Sequence, residues 1–319
     1  MEPDLMAATF NLALSYSPQL FSGTDYQAIA HEIRKLTPDI DVYIIADQPM
    51  VRAPQALKQL PLLTFCPSIL AHFIPPRGKV FCGQKIRKDE QMRRLSKGGV
   101  RVPKWTYLKP GMRLSENEWG TYVIIKPVAF GYASRGRGVE LARTTKLSYA
   151  PPGFLSKQHP GAQGDMVVQK FIETGDYSED YRVVTLFGRP LYALHRKSLV
   201  KMVRPGEDGP SRTSEGVVSN ASSGPRETGL CYEQDILDFA ASCHRAIPDV
   251  PFQAIDVRRD SSDGRLYCLE INPGGHTWNF SSTRADDIPT IDGVRREDQF
   301  GAWKIAAEAL VENTRLYAA

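Results

Sequence analysis

The sequence predicts a mixed α/β (α+β) protein, with a parallel layer at the start of the chain and antiparallel hairpins after it. Two stretches carry that prediction. Between residues 10 and 46, strand, helix and strand patterns follow one another at the spacing of a parallel unit. Between residues 252 and 272, two apolar runs flank a short polar turn, as an antiparallel return requires.

The elements follow in order. Phe10, Leu12, Leu14 and Tyr16 alternate with Asn11, Ala13 and Ser15, the period of a strand. A helix comes next, capped near Thr24 or Asp25, with Tyr26, Ile29, Ala30, Ile33 and Leu36 on one face. Residues 41–46 read as a buried strand, and the layer continues through 62–65 and 80–82. A charged helix over 87–97 ends at Gly98-Gly99, and the pattern breaks at 100–103. Residues 121–127 form a strand that ends on Lys126, and a glycine-rich basic loop follows it with Gly131, Arg135, Gly136, Arg137 and Gly138. Loop-like sequence over 144–165 gives way to a strand at 166–172, then to a hairpin over 180–196 turning at Gly188-Arg189. The polar segment 197–229 is rich in Ser, Gly and Pro and reads either as a lid or as a disordered connection. A helix over 233–247 carries Ile236, Ala240, Cys243 and Ile247 on one face, and the last, over about 297–314, carries Phe300, Trp303, Ala307 and Leu310.

Bulk properties narrow the function classes. The chain has 319 residues and a net charge of +4, too weak and dispersed for a nucleic-acid-binding face. Five cysteines lie scattered without a CxxC pair, against a disulfide framework or a zinc site. The first residues include acids and lack the basic region of a signal peptide, and no apolar run reaches membrane-spanning length, so a cytoplasmic protein without membrane or nucleic-acid partners is expected.

Asp256 lies in one strand of the 252–272 hairpin, and Glu270 and Asn272 share one face of the other. An antiparallel return brings Asp256 opposite Glu270, giving two carboxylates and an amide oxygen, the donor set of a hard cation that shares its site with phosphate. An acid buried in Ala-Ile-Asp-Val or Cys-Leu-Glu-Ile is costly unless paired. Lys126 at a strand end is a point charge for a phosphate, and Gly131, Gly136 and Gly138 let backbone N–H groups approach phosphate oxygens. By itself that loop fits a plain hairpin connection equally well. Gln169, Lys170, Phe171 and Ile172 end a strand before a polar bend, which is either an ordinary strand end or a hinge that offers backbone groups to an adenine edge, and Asp180 is a candidate for a ribose hydroxyl. Arg182 and Arg196 sit on paired strands and can face one cleft. Gly274 and Gly275 offer N–H groups to an acyl oxygen. His276 and Trp278 either face an acceptor substrate or pack at the loop end.

In this order the pieces resemble the ATP-grasp superfamily, and most of all its carboxylate–amine ligases of the glutathione synthetase, D-alanine–D-alanine ligase and glutamate-adding types. The resemblance covers about residues 85–280, more loosely 1–84, and is most specific at Asp256 with Glu270-Ile271-Asn272-Pro273-Gly274. It implies an ATP-grasp fold behind a Rossmann-like pre-ATP-grasp layer. Residues 1–86 would be the N-terminal α/β domain, 87–168 a small lobe with the phosphate loop, and 169–319 a C-terminal lobe with the metal site. ATP and two Mg²⁺ ions are implied, with Mn²⁺ as a substitute and Asp256, Glu270 and Asn272 as ligands. Lys126 matches the family's strand lysine on ATP phosphate, and Lys88 resembles the earlier ATP lysine. Gly136 and Gly138 match the phosphate-covering loop. Gln169–Ile172 match the adenine hinge, with Lys170 where many members have glutamate. Asp180 matches the ribose-binding acid, with one extra residue in the spacing. Arg196 matches a phosphate- or acyl-phosphate-binding arginine, and Arg182 a substrate-side arginine. Asn220 resembles an active-site asparagine of the glutamate-adding enzymes, although Ala-Ser-Ser-Gly follows it here. The implied activity joins a small-molecule or peptide carboxylate to an amine through an acyl phosphate. An ATP-dependent phosphotransferase and a non-catalytic nucleotide sensor on the same fold are the alternatives, and a homo-oligomer stays open.

Overall fold

The computed structural model describes residues 8–128, 136, 138–206, 211–218, 224–274, 277–278, 280–281 and 290–319. Among these residues, three sheets organise the chain. The first consists of β1 (Phe10–Tyr16), β2 (Ile40–Ala46), β3 (Leu62–Cys66) and β4 (Lys79–Cys82), with α1 (Thr24–Leu36) crossing from β1 to β2. It is parallel throughout, in the order β2-β1-β3-β4. β1 takes the centre and buries Leu12, Ala13 and Leu14 completely. β2, expected as a buried strand, is an edge strand instead and buries only Ile40 and Ile45 fully. Its apolar run reads as central because one covered face suffices to make it so.

After the charged helix α2 (Lys88–Lys97) comes a small antiparallel sheet. It is built from β5 (Trp105–Tyr107), β6 (Tyr122–Pro127), β7 (Glu140–Arg143) and β8 (Met166–Lys170), with the short α3 (Glu116–Trp119) before β6. The large sheet holds β9 (Tyr177–Leu186), β10 (Arg189–Lys201), β12 (Arg226–Leu230), β13 (Phe252–Arg259) and β14 (Leu266–Asn272) in the order β12-β10-β9-β13-β14. β11 (Arg212–Thr213) returns to the edge of the small sheet beside β7. The segment 197–229, expected as loop, thus contributes the end of β10 and two short edge strands. Edge strands keep one side in water, so their polar composition hides them. Strand β8 runs through the 168/169 division expected from the sequence. Helix α2 packs through Leu95 into the cluster formed by α4 (Gln234–Ala246) and the large sheet.

Helix α5 (Ala302–Tyr317) starts later than its sequence pattern suggests. A separate turn occupies Arg296–Asp298, and Gly301 stands at φ +77° before the first helical residue, a left-handed conformation that interrupts any continuous helix. α1 likewise begins where expected but gains no side-chain cap. Asp25 turns inward instead and accepts hydrogen bonds from Trp278 Nε1 at 2.8 Å and from Ser281 Oγ.

One large core joins the parallel sheet, α1, α5 and part of the large sheet. Trp278 lies fully buried within it, its ring 5.8 Å from Tyr26 and 5.1 Å from Phe252. It is therefore a packing residue, not one that faces an acceptor. Trp278→Ala is expected to cost about 3–5 kcal/mol of stability. A denaturant midpoint like that of wild type would contradict its place in the core. Among the described residues, no helix is long and apolar enough to cross a membrane.

Candidate active site

The cleft arises from a change of character along three neighbouring strands. Side chains alternate faces, so every second residue shares one surface. On one face, Leu186 and Val184 of β9, Tyr192 and Leu194 of β10, and Phe252 and Ala254 of β13 are buried in the large core. Continuing along that face, β9 carries Arg182, Asp180 and Ser178, β10 carries Arg196 and Ser198, and β13 carries Asp256 and Arg258. The apolar half covers the core and the charged half floors the cleft. The opposite face, with Val183, Ile255 and Val257, packs on α4 throughout.

β14 needs a bulge to join this floor. Leu266 and Cys268 point into the α4 cluster, and strict alternation would send Glu270 and Asn272 there as well. Asp256 pairs with Glu270, but Val257 pairs with Cys268, so Leu269 is the extra residue. The phase flips there: Ile271 returns to the cluster, and Glu270 and Asn272 face the cleft. Bulging also frees the Leu269 carbonyl, which accepts from Lys126 Nζ at 3.1 Å.

The expected residues converge on two carboxylates. Arg182 grips Asp256 with both ends of its fork, each bond 2.8 Å. Arg196 Nη2 reaches Asp256 Oδ1 at 3.0 Å, and its Nε donates to Asp180 Oδ1 at 2.7 Å. Asn272 Nδ2 lies 3.3 Å from Asp256 Oδ2. Lys88, at the first turn of α2, pairs with Glu270. That helix is pinned to β14 by Gln91, whose Oε1 accepts from the Ile271 N–H at 2.9 Å. Gln91 is a positioning residue the sequence does not single out, because its role depends on the docking of α2.

Burial and charge compete in this cluster, and charge prevails. Burial pushes the Asp256 carboxyl up, but Arg182 and Arg196 outweigh it and hold the group down at about 2. Glu270 is also pushed up by burial and brought below its usual range by Lys88 and Lys126. Both stay ionised. Lys126 shows the reverse balance: burial first, then the charge of Lys88, lower it to about 8 against the pull of Glu270. Cations outnumber carboxylates on this floor, which suits a polyanion.

An all-oxygen cation site fits the residues present. Two ionised carboxylates stand opposite one another in register, with an amide oxygen one strand step beyond. Among the described residues, no group of three His, Cys, Asp or Glu side chains could hold a metal. Two carboxylates and an amide oxygen are nonetheless hard donors, of the kind Mg²⁺ accepts when phosphate completes its shell.

Asp180 is only 5% exposed, and its Oδ1 accepts from Arg196 Nε, so it also orients that arginine. One expectation differs from the geometry. The Gly274 N–H is donated to the Asn272 carbonyl at 3.0 Å, which leaves it unsuited to an acyl oxygen. Gly274 has φ +107°, and a Cβ there would stand 2.3 Å from the Pro67 carbonyl, where the parallel layer meets the end of β14. Gly136 and Gly138 have φ of +76° and +70°, conformations that suit glycine. At the hinge, Gln169, Phe171 and Ile172 are buried and Lys170 is exposed. Gly131, Arg135, Arg137, Asn220, Gly275 and His276 lie outside the described residues.

No protein-family model matches the sequence, and no curated protein matches it. Solved structures do. The ATP-grasp ligase PsnB, complexed with its minimal precursor, superposes with a TM-score of 0.52 at 14% identity, covering 96% of this chain and 100% of that one. The D-cycloserine synthetase DcsG gives a TM-score of 0.52 at 14% identity, covering 95% and 99%. PsnB with a phosphomimetic variant of the minimal precursor, Mg and ADP gives 0.51 at 14%, covering 96% and 99%. Likeness at this identity is likeness of fold, and the chain has the ATP-grasp fold.

Proposed function

We propose that the chain is an ATP-dependent carboxylate–amine ligase that forms an amide through an acyl phosphate and releases ADP and phosphate. One observation carries the reading: Lys88, Lys126, Arg182 and Arg196, from four different elements, converge on the neighbouring carboxylates Asp256 and Glu270. A structural ion-pair network needs no such excess of cations. A site that receives polyphosphate beside divalent metal needs both signs at once.

In this reading Asp256, Glu270 and Asn272 hold Mg²⁺, or Mn²⁺ in its place. Ions held by these residues would shield phosphate charge. Lys88 and Lys126 exchange their present acceptors for phosphate oxygens, and the backbone N–H groups of Gly136 and Gly138 add donors. Arg182 and Arg196 hold the substrate carboxylate against the terminal phosphate. A carboxylate oxygen attacks the γ-phosphorus, the bond to the bridging oxygen breaks, and ADP leaves. The amine nitrogen then attacks the acyl carbon, the carbon–oxygen bond to phosphate breaks, and the nitrogen loses its proton to solvent. Positioning and charge neutralisation account for the protein's share. The hinge over Gln169, Lys170, Phe171 and Ile172 takes the adenine. The precursor in the PsnB complex supports including peptides beside small molecules among the substrates. We place the reaction in the cytoplasm, where free thiols such as the five here persist.

Amino acids and dipeptides, screened in pairs for ADP release with ATP and Mg²⁺, test this reading. ADP release that needs both a carboxylate and an amine supports it. Release without an amine and with a stable phosphorylated product would indicate a phosphotransferase, and ATP binding without any turnover a sensor.

Lys126 adds a pH dependence. Its folded pKa of about 8 lies below the unfolded value of about 10.4, so the fold disfavours the charged form. That cost is full below about pH 8 and is relieved as pH rises toward 10.4. Phosphate prefers the charged form, so ATP affinity should stay level up to about pH 8 and weaken above it, with proton uptake on binding. Calorimetry in buffers of different ionisation heat reads both. A constant affinity from pH 7 to 9.5 would contradict the contact between Lys126 and phosphate.

A further inference from the structure

Scattered in sequence, two of the five cysteines meet in the parallel layer. Cys66 ends β3 and Cys82 ends β4. The two strands are parallel neighbours, and their register sets Cys66 directly beside Cys82. Phe65 and Phe81, one residue earlier, both pack into the large core, so the two cysteines share the opposite face. In-register neighbours in a sheet stand about 4.8 Å apart, inside the span of about 4.4–6.8 Å between the Cα atoms of a disulfide.

The two thiols differ in access. Cys82 is half-buried, and the other four cysteines are buried. Burial pushes the Cys66 thiol up to about 12, and the neighbouring Cys82 adds to the rise. Ser68 Oγ lies 3.4 Å from Cys66 Sγ. One thiol thus meets solvent and the other waits behind it, the arrangement of an attacking cysteine and a resolving one.

Their position ties them to the end of β14, the strand that carries Glu270 and Asn272. The Gly83 N–H donates to the Ser68 carbonyl at 3.0 Å, and the Gln84 N–H donates to the Pro273 carbonyl at 3.0 Å. Gly274 packs against both strand ends: a Cβ there would stand 2.3 Å from the Pro67 carbonyl oxygen and 2.8 Å from Gly83 Cα. A bond between residues 66 and 82 would fix, one residue away, the spacing of the two strand ends that clasp Pro273 and Gly274.

We propose that Cys66 and Cys82 are a redox-sensitive pair, which hydrogen peroxide closes into a disulfide that locks β3 to β4 beside the end of β14. The Cys82 thiolate attacks one peroxide oxygen and the O–O bond breaks. The departing hydroxide takes up the proton that the thiol released and leaves as water, and Cys82 becomes a sulfenic acid. The Cys66 sulfur then attacks the Cys82 sulfur, the S–O bond breaks, and the leaving hydroxide takes the Cys66 proton as a second water. Two thiols are oxidised and one peroxide is reduced. A thiol reductant reverses the bond, as it does in cytosolic disulfides that sense oxidation. The inference goes beyond the ligase reading and does not depend on it.

Peptide mapping of the full chain without reduction tests it, after limited hydrogen peroxide and alkylation of the remaining thiols. A Cys66–Cys82 linked peptide should appear within one chain, and the thiol count of the denatured protein should fall from five to three, two being consumed. Closing the 66–82 loop restricts the unfolded chain, so the melting temperature should rise by several degrees and return with dithiothreitol. Cys66→Ser should hold a sulfenic acid at Cys82, trapped by dimedone, with no linked peptide and no rise. Cys82→Ser should leave Cys66 a thiol under the same treatment. A wild-type map without the Cys66–Cys82 link would overturn the inference, whether Cys82 stays a thiol, goes on to sulfinic acid or joins another cysteine. So would a link that leaves the melting temperature unchanged. The wild-type map decides even where a variant fails to fold.

Discussion

Glu270→Gln should lower turnover about 100- to 1,000-fold while the protein stays folded. The change keeps the shape and removes one negative charge from a floor where cations already exceed carboxylates. Lys88, now paired with Glu270, is only partly buried and can turn to solvent. Asp256→Asn should be equally inactive but less stable. Asp256 neutralises Arg182 and Arg196 in a site 6% exposed, and breaking a buried pair of this kind costs about 3–5 kcal/mol. Steady-state turnover and thermal melting, measured together, separate the two effects. Near-normal turnover in Glu270→Gln would remove the metal-holding role from that strand.

Lys126→Ala is the second large effect. A charge-assisted hydrogen bond to phosphate is worth about 1.5–3 kcal/mol, so ATP affinity should fall roughly 10- to 100-fold. Stability should hold or rise, because the variant removes a buried cation that repels Lys88 and whose one hydrogen bond among the described residues goes to a backbone carbonyl. A drop in affinity with no loss of melting temperature is therefore the signature. Affinity equal to wild type would move the phosphates elsewhere in the cleft.

Much of this was readable from residue order. The hairpin over 252–272 placed Asp256 opposite Glu270, and its register does so in the structure. The parallel layer, the strand ending on Lys126 and the paired strands bearing Arg182 and Arg196 followed from alternation and turn chemistry. Other features depend on contacts that no local pattern encodes. Lys88 reaches Glu270 because Gln91 fastens α2 to β14, across 180 residues of sequence. The bulge at Leu269 is visible only once Cys268 and Ile271 are known to share a face. Asp180 looked free because a strand acid beside a hinge gives no sign of the arginine it supports. One signal was available but went unused. Leu186, Val184, Arg182 and Asp180 pass from apolar to charged on a single face, and Phe252, Ala254, Asp256 and Arg258 do the same in the neighbouring strand. Read together, the two runs locate the edge of the core.

The central claim is that a carboxylate becomes activated as an acyl phosphate, and hydroxylamine tests it most directly. With the carboxylate substrate identified by the ADP-release screen, hydroxylamine should replace the natural amine. The product should be a hydroxamate, formed in proportion to ADP and lost in Glu270→Gln. A stable phosphorylated product with no hydroxamate, at the same rate of ADP release, would contradict the account and assign this cleft to phosphoryl transfer alone.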